Sequence, residues 1–95
     1  MVIVSAASVW EISIKHALAR ADMPVSGSDA LRFFRQAGYQ MLSVTAEHAA
    51  AVDGLPQIHR DPFDRIIVAQ ALVEPLRLVT HDATLKAYGD TVLLF

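Results

Sequence analysis

Three acidic residues of the 95-residue chain lie where predicted strands and helices meet. Glu11 lies in the first turn of the helix that follows the predicted N-terminal strand. Asp64 lies in the first turn of a long apolar helix, and Asp82 follows the strand after that helix. Clustered carboxylates without cysteine or lysine partners suit Mg²⁺ and Mn²⁺, which prefer oxygen ligands and keep several waters. Such a site predicts hydrolysis of a phosphodiester by a metal-activated water.

Each of these acids also has a purely structural interpretation. Ser8 and Glu11 match the S-x-x-E capping box, and Lys15 follows Glu11 by one helical turn, so Glu11 could hold a helix start and an ion pair. Asp64 at the third helical position is favoured by the helix dipole. Asp82 could cap the short helix that follows it. Both interpretations stay open for all three residues.

Strands and helices alternate in the predicted element order that must position these acids. The predicted strands are 2–4, 39–44, 76–80 and 91–94, and the predicted helices are 9–21, 30–37, 46–52, 62–74 and 82–88. Thr45 is the predicted N-cap of the third helix, whereas Asp61 caps the fourth and Pro62 occupies its first position. Crossovers long enough for a helix predict an α/β fold with a parallel sheet. Its ligand site would lie at the carboxyl ends of the strands.

The composition restricts the class of protein. Apolar residues make up 54% of the chain and charged residues 19%, which excludes a disordered protein. The chain has no cysteine, so disulfides and thiolate metal sites are excluded. No apolar run approaches the roughly 18 residues of a membrane span, and the start lacks the basic region of a signal peptide, so we expect a cytoplasmic protein without membrane contact. The net charge of −2 means that nucleic acid would need a local basic patch.

Basic and aromatic residues flank the three acids. Lys15, Arg60 and Arg65 are the nearest cations and are therefore the candidates for contacts with an RNA phosphate backbone. Trp10 directly precedes Glu11, and Phe63 directly precedes Asp64. We predict that both rings belong to the hydrophobic core rather than to a platform on which bases stack.

Three segments resemble, in order, the motifs of PIN domains. They are residues 4–12 (VSAASVWEI), 59–65 (HRDPFDR) and 78–82 (LVTHD). More narrowly, they resemble the ribonuclease toxins of VapBC-type bacterial toxin–antitoxin modules. The resemblance covers nearly the whole chain and implies one PIN-like domain over residues 1–95, with a three-layer α/β fold in which helices flank a parallel sheet.

The resemblance also implies an activity, a cofactor and partners. PIN-type toxins are metal-dependent endoribonucleases in which a cluster of acids holds Mg²⁺ or Mn²⁺. Glu11, Asp64 and Asp82 match the acids of the three motifs, and Arg65 follows Asp64 as in the family's pattern. RNA is then the expected substrate, a cognate antitoxin the expected protein partner, and a homodimer the expected assembly.

The chain departs from the family's pattern at its N-terminus. PIN domains begin with a central strand ending in an aspartate, followed by helices, before the segment with which this chain starts. The chain thus resembles an N-terminally truncated PIN domain with three acids where four are expected, and a partner would cover the gap beside strand 2–4. Three functions follow: a ribonuclease; a catalytically impaired remnant that binds an antitoxin or dimerises; and an α/β scaffold whose acids only cap helices.

Overall fold

Strands and helices alternate along the chain in the computed structural model, which describes residues 2–19, 22–55, 61–79 and 92–94. The elements in order are β1 (Val2–Ser5), α1 (Ala6–Ala17), α2 (Gly27–Gln36), β2 (Gln40–Leu42), α3 (Ala46–Ala51), a 3₁₀ turn (Val52–Gly54), α4 (Pro62–Val73), β3 (Arg77–Val79) and β4 (Val92–Leu94). The helix predicted at 82–88 lies outside the described residues. Over the described ranges, no helix has the length and apolar character needed to cross a bilayer.

The strands form one parallel sheet in the order β2-β1-β4-β3. Val4 of β1 is paired with Met41 on one side and with Leu94 on the other, and Leu78 of β3 is paired with Leu93. The predicted α/β fold with a parallel sheet is therefore confirmed. The expectation of a gap beside β1 is wrong for the described sheet, because β1 has a hydrogen-bonded neighbour along each edge.

The first helix begins at Ala6 and not near residue 9, because Ser5 ends the strand and caps the helix at once. The fully buried Ser5 hydroxyl accepts a hydrogen bond from the Ala7 N–H at 3.0 Å. Ser8 consequently lies inside the helix, and Glu11 lies in its second turn. The prediction of a Ser8–Glu11 capping box, with Glu11 in the first turn, is wrong.

The second helix also begins earlier than predicted and packs closely against α1. The Ser26 hydroxyl accepts a hydrogen bond from the Asp29 N–H at 3.1 Å, which starts α2 at Gly27. A Cβ atom at Gly27 would overlap the Ser13 side chain of α1, so a larger residue here would have to displace that side chain. Gly38, with a φ of +85°, follows the end of α2 as the sequence predicts.

The fourth helix has the predicted cap and carries the centre of the core. The Asp61 carboxylate accepts the N–H of Phe63 at 2.8 Å and that of Asp64 at 3.4 Å, with Pro62 at the first helical position. The buried core cluster joins this helix to α1 and β4 and consists of Ala7, Ile67, Ala71 and Leu93. The prediction that α4 is buried on several sides is wrong at its C-terminal end, where Leu72 is 68% exposed.

A buried polar network joins α3 to α4. His48 is fully buried, and its Nδ1 accepts the Thr45 N–H at 3.0 Å while its own N–H donates to the Thr45 hydroxyl at 3.2 Å. The predicted Thr45 cap is therefore confirmed, with His48 completing the box. Gln70 of α4 is also fully buried, and its amide nitrogen donates to the Ser43 carbonyl at 3.2 Å. These bonds hold α4 against the start of α3.

Candidate active site

Two of the three predicted acids lie on helices that contact each other through an aromatic pair. The rings of Trp10 and Phe63 meet edge to face, with centroids 5.1 Å apart and an interplanar angle of 77°. Glu11 follows Trp10 in α1, and Asp64 follows Phe63 in α4. Because each acid is the direct neighbour of one ring, the contact brings the second turn of α1 and the first turn of α4 together.

The carboxylate of Glu11 forms an ion pair within α1. Its Oε2 lies 2.7 Å from the Nζ of Lys15, and the two side chains are 21% and 29% exposed, respectively. The predicted pair is thus confirmed, whereas the assumption that the acids have no lysine partner is wrong for Glu11. An ammonium group at this place would compete with a cation for Glu11 and would also attract a phosphate oxygen.

Asp64 occupies the first turn of α4, as predicted. Its backbone N–H donates to the Asp61 carboxylate, and its side chain is half-buried. The helix dipole of α4 favours a negative charge at this position. Asp61 itself is exposed, and its carboxylate forms the N-cap bonds that the sequence predicts.

Of the predicted RNA contacts, Lys15 and Arg65 lie in the described part of the chain, and Arg60 lies outside it together with the acid Asp82. The Nη2 of Arg65 donates to the carbonyl oxygen of Val52 at 3.3 Å, which holds the guanidinium group beside the 3₁₀ turn. Lys15 and Arg65 therefore bring two cationic groups to the helices that carry Glu11 and Asp64.

The chemistry of the donor set fits a hard divalent cation. Within residues 2–19, 22–55, 61–79 and 92–94, no cluster of three or more histidine or acidic side chains could hold a metal ion. Two of the predicted ligands, Glu11 and Asp64, lie on helices that contact each other, and the third predicted ligand is Asp82. Mg²⁺ is commonly bound through one or two carboxylates while it keeps several waters. The three-residue set stays a prediction.

An apolar cleft opens beside the aromatic pair, and sequence reasoning missed it. Its volume is about 630 Å³, and its lining includes Trp10, Phe63, Val44, Val52, Ile66 and Arg65. Trp10 is 61% exposed, so the prediction that it belongs to the core is wrong. Helical spacing gave no signal of this exposure, because Ala7 and Trp10 are three residues apart and lie on the same face of α1, although Ala7 is buried.

Comparison with protein families gives a match over nearly the whole chain. The family model described as PIN domain matches residues 1–90. Neither the comparison with curated proteins nor the comparison with solved structures gives a match.

Proposed function

Because the chain belongs to the PIN domain family, a superfamily of metal-dependent nucleases, we propose that it is an endoribonuclease that uses Mg²⁺ or Mn²⁺. The observation that supports this proposal best is the contact of Trp10 with Phe63, which brings together the helices that carry Glu11 and Asp64. These helix turns carry two of the acids expected from the motif resemblance. The third, Asp82, belongs to the segment that follows β3.

The residues that would hold the cation are Glu11, Asp64 and Asp82. When bound, Mg²⁺ or Mn²⁺ supplies Lewis acidity toward water and toward the phosphodiester oxygens. The N-terminus of α4 stabilises the ionised form of Asp64. Lys15 keeps an ammonium group 2.7 Å from Glu11, from where it binds a phosphate oxygen once the carboxylate has a second cation.

The specific biological role follows from the narrower resemblance. The motifs are similar to those of VapBC-type toxins, so we propose a toxin that cleaves RNA, forms a homodimer and is neutralised by a cognate antitoxin. Arg60 and Arg65 would bind the RNA backbone beside Lys15. In this proposal the protein acts in the cytoplasm, where such a toxin would meet RNA.

A second candidate function is a catalytically impaired module that binds an antitoxin or dimerises. The observation that favours it is the exposure of large apolar side chains on α1, α2 and α4, namely Leu18, Phe33 and Leu72. Exposed apolar surface of this kind commonly marks a protein interface. The two functions differ in whether the acids bind a metal ion.

Cleavage of a labelled single-stranded RNA in Mg²⁺, in Mn²⁺ and in EDTA tests the proposed nuclease. We expect cleavage only with the divalent ions. Glu11→Gln should lower the cleavage rate by more than the roughly 10- to 100-fold that is typical when a residue hydrogen-bonded to a metal ligand is removed, because Glu11 is a proposed ligand itself. Glu47→Gln is the matched control, because Glu47 is an exposed acid of α3. Equal cleavage in EDTA, or by Glu11→Gln at a rate equal to that of the control, would contradict the proposal.

A further inference from the structure

We propose that the apolar cleft beside Trp10 binds a nucleobase of the RNA next to the cleaved phosphodiester. This inference rests on the proposed nuclease function and adds to it a subsite for the substrate. The main observation behind it is that the indole of Trp10 is 61% exposed and yet packs edge to face on Phe63, with ring centroids 5.1 Å apart. A ring fixed in this way is ready to stack on a base without first losing side-chain freedom.

The lining of the cleft suits the face of a base and does not suit a phosphate. Val44, Val52 and Ile66 supply aliphatic walls, and Arg65 supplies a cationic group. The volume of about 630 Å³ falls within the roughly 300–1,000 Å³ that is usual for small-molecule sites. An aromatic platform, an apolar wall and a few polar groups are the parts with which proteins bind unstacked bases.

The position of the cleft relative to the acids selects RNA as the occupant. Trp10 and Phe63 are the direct chain neighbours of Glu11 and Asp64, so the wall of the cleft and the acids share the same two helix turns. Successive nucleotides of a single strand carry their bases beside their phosphates. A strand whose phosphate lies at the acids therefore has an adjacent base within reach of the indole.

Arg65 in the cleft and Lys15 beside Glu11 supply cationic groups for a phosphate backbone. Arg65 lines the cleft, where its Nη2 is held by the Val52 carbonyl at 3.3 Å, and Lys15 lies one helical turn beyond Glu11. A base in the cleft would thus leave its own phosphates near positive charge. An apolar peptide would use the aliphatic wall but would gain nothing from these cations.

Trp10 is the only tryptophan of the chain, so its fluorescence reports on the cleft directly. The experiment titrates single-stranded oligoadenylate of about eight nucleotides into the full chain in EDTA, where no cleavage occurs. We expect saturable quenching. An abasic oligonucleotide of the same length has the same phosphates and should give none. Quenching by both oligonucleotides alike would overturn the inference, because phosphate contacts alone would then explain the binding.

Variants measured by the anisotropy of labelled oligoadenylate complete the test. Trp10→Leu keeps an apolar side chain and should weaken binding roughly 5- to 150-fold, the range for one stacked base. Trp10→Phe keeps a smaller ring and should lose less, and Val25→Ala, at an exposed apolar residue before α2, should lose nothing. Circular dichroism establishes that each variant is folded. Affinity that is unchanged in Trp10→Leu overturns the inference.

Three further outcomes separate this inference from the proposed function and from a protein partner. A chain that stacks oligoadenylate but fails to cleave RNA with Mn²⁺ retains the base subsite and loses the nuclease proposal. A chain that cleaves RNA equally well after Trp10→Leu retains the nuclease and loses the subsite. Quenching by an amphipathic leucine–lysine peptide, with none by oligoadenylate, would assign the cleft to a protein partner and overturn the inference.

Discussion

The Nε2 of His48 donates a hydrogen bond to the Glu74 carboxylate, with 2.7 Å between nitrogen and oxygen. The direction of this bond follows from the other ring nitrogen, because Nδ1 accepts the backbone N–H of Thr45. Both nitrogens of the neutral imidazole are thus used, and the ring links the start of α3 to the C-terminal cap of α4. Because the His48 ring is buried, this link has a structural role. Neither His48 nor Glu74 adjoins a predicted acid in the sequence.

His48→Ala should destabilise the fold by roughly 2–4 kcal/mol. The change removes one half of the capping box, leaves the Thr45 N–H and the Gln70 amide short of a partner, and opens a cavity. The free energy of unfolding in urea measures the loss. His16→Ala is the matched control, because His16 is exposed on α1, and it should cost about 0.5 kcal/mol or less. Equal losses in the two variants would show that the network adds no stability.

Ser5→Ala should cost about 0.5–2 kcal/mol, the usual value for loss of an N-cap. The Ser5 hydroxyl accepts the Ala7 N–H, whereas Ser8 lies inside α1. Ser8→Ala should therefore leave the free energy of unfolding within about 0.5 kcal/mol of the starting chain. Urea denaturation of both variants is the measurement. A larger loss of unfolding free energy from Ser8→Ala than from Ser5→Ala would support the Ser8–Glu11 capping box that the sequence predicted and contradict the Ser5 cap.

Mn²⁺ binding should depend on the three acids. In isothermal calorimetry, Glu11→Gln, Asp64→Asn and Asp82→Asn should each weaken binding by more than about tenfold, because each removes a carboxylate ligand. Glu47→Gln, which removes an exposed acid of α3, should bind as the starting chain does. Binding that is absent from the unmodified chain would favour the catalytically impaired module or the bare scaffold.

Lys15→Met should affect metal binding and RNA cleavage in opposite directions. Loss of the ammonium group 2.7 Å from Glu11 removes a competitor for the carboxylate, so Mn²⁺ should bind about 1.5- to 5-fold more tightly, the range for an exposed ion pair. Cleavage at low RNA concentration should fall, because a phosphate contact is lost. Calorimetry and initial rates measure the two effects. A decrease in both would show that Lys15 supports the acid instead of competing for it.

The proposed homodimer should appear in light scattering as a mass near twice the 10.4 kDa of the chain. The expectation rests on the toxin resemblance and on the exposed apolar side chains of α1 and α2, such as Leu18 and Phe33. Dilution should shift the mass toward that of one chain if the association is weak. A mass of one chain at every concentration would contradict the proposed assembly.

Local signals in the sequence were enough to predict where a helix begins when its N-cap residue lies in a loop just before it. Asp61 followed by Pro62 predicts the start of α4, and Thr45 predicts the start of α3, because each cap acts within three residues. The predicted start of α1 was wrong because the capping residue could not be recognised. Ser5 belongs to a strand and caps a helix at the same time, and no loop residues mark the boundary.

The contacts between distant segments could not be predicted from the sequence. His48 and Glu74 are 26 residues apart, and their bond depends on how α3 and α4 pack. The exposure of Trp10 likewise depends on which part of α1 the other elements cover. The ring contact between Trp10 and Phe63, which joins the helices carrying Glu11 and Asp64, did not follow from the order of the motifs either.

The direct passage from β1 into α1 restricts the changes in chain length that this segment can accept. Since Ser5 ends the strand and caps the helix, an inserted or deleted residue has no loop that could absorb it. One residue more or less would turn α1 by about 100° relative to β1, given 3.6 residues per turn. Trp10 would then leave the side of α1 that contacts Phe63 of α4, and Glu11 would turn with it. Insertions should therefore be far better tolerated between α1 and α2 than at Ser5.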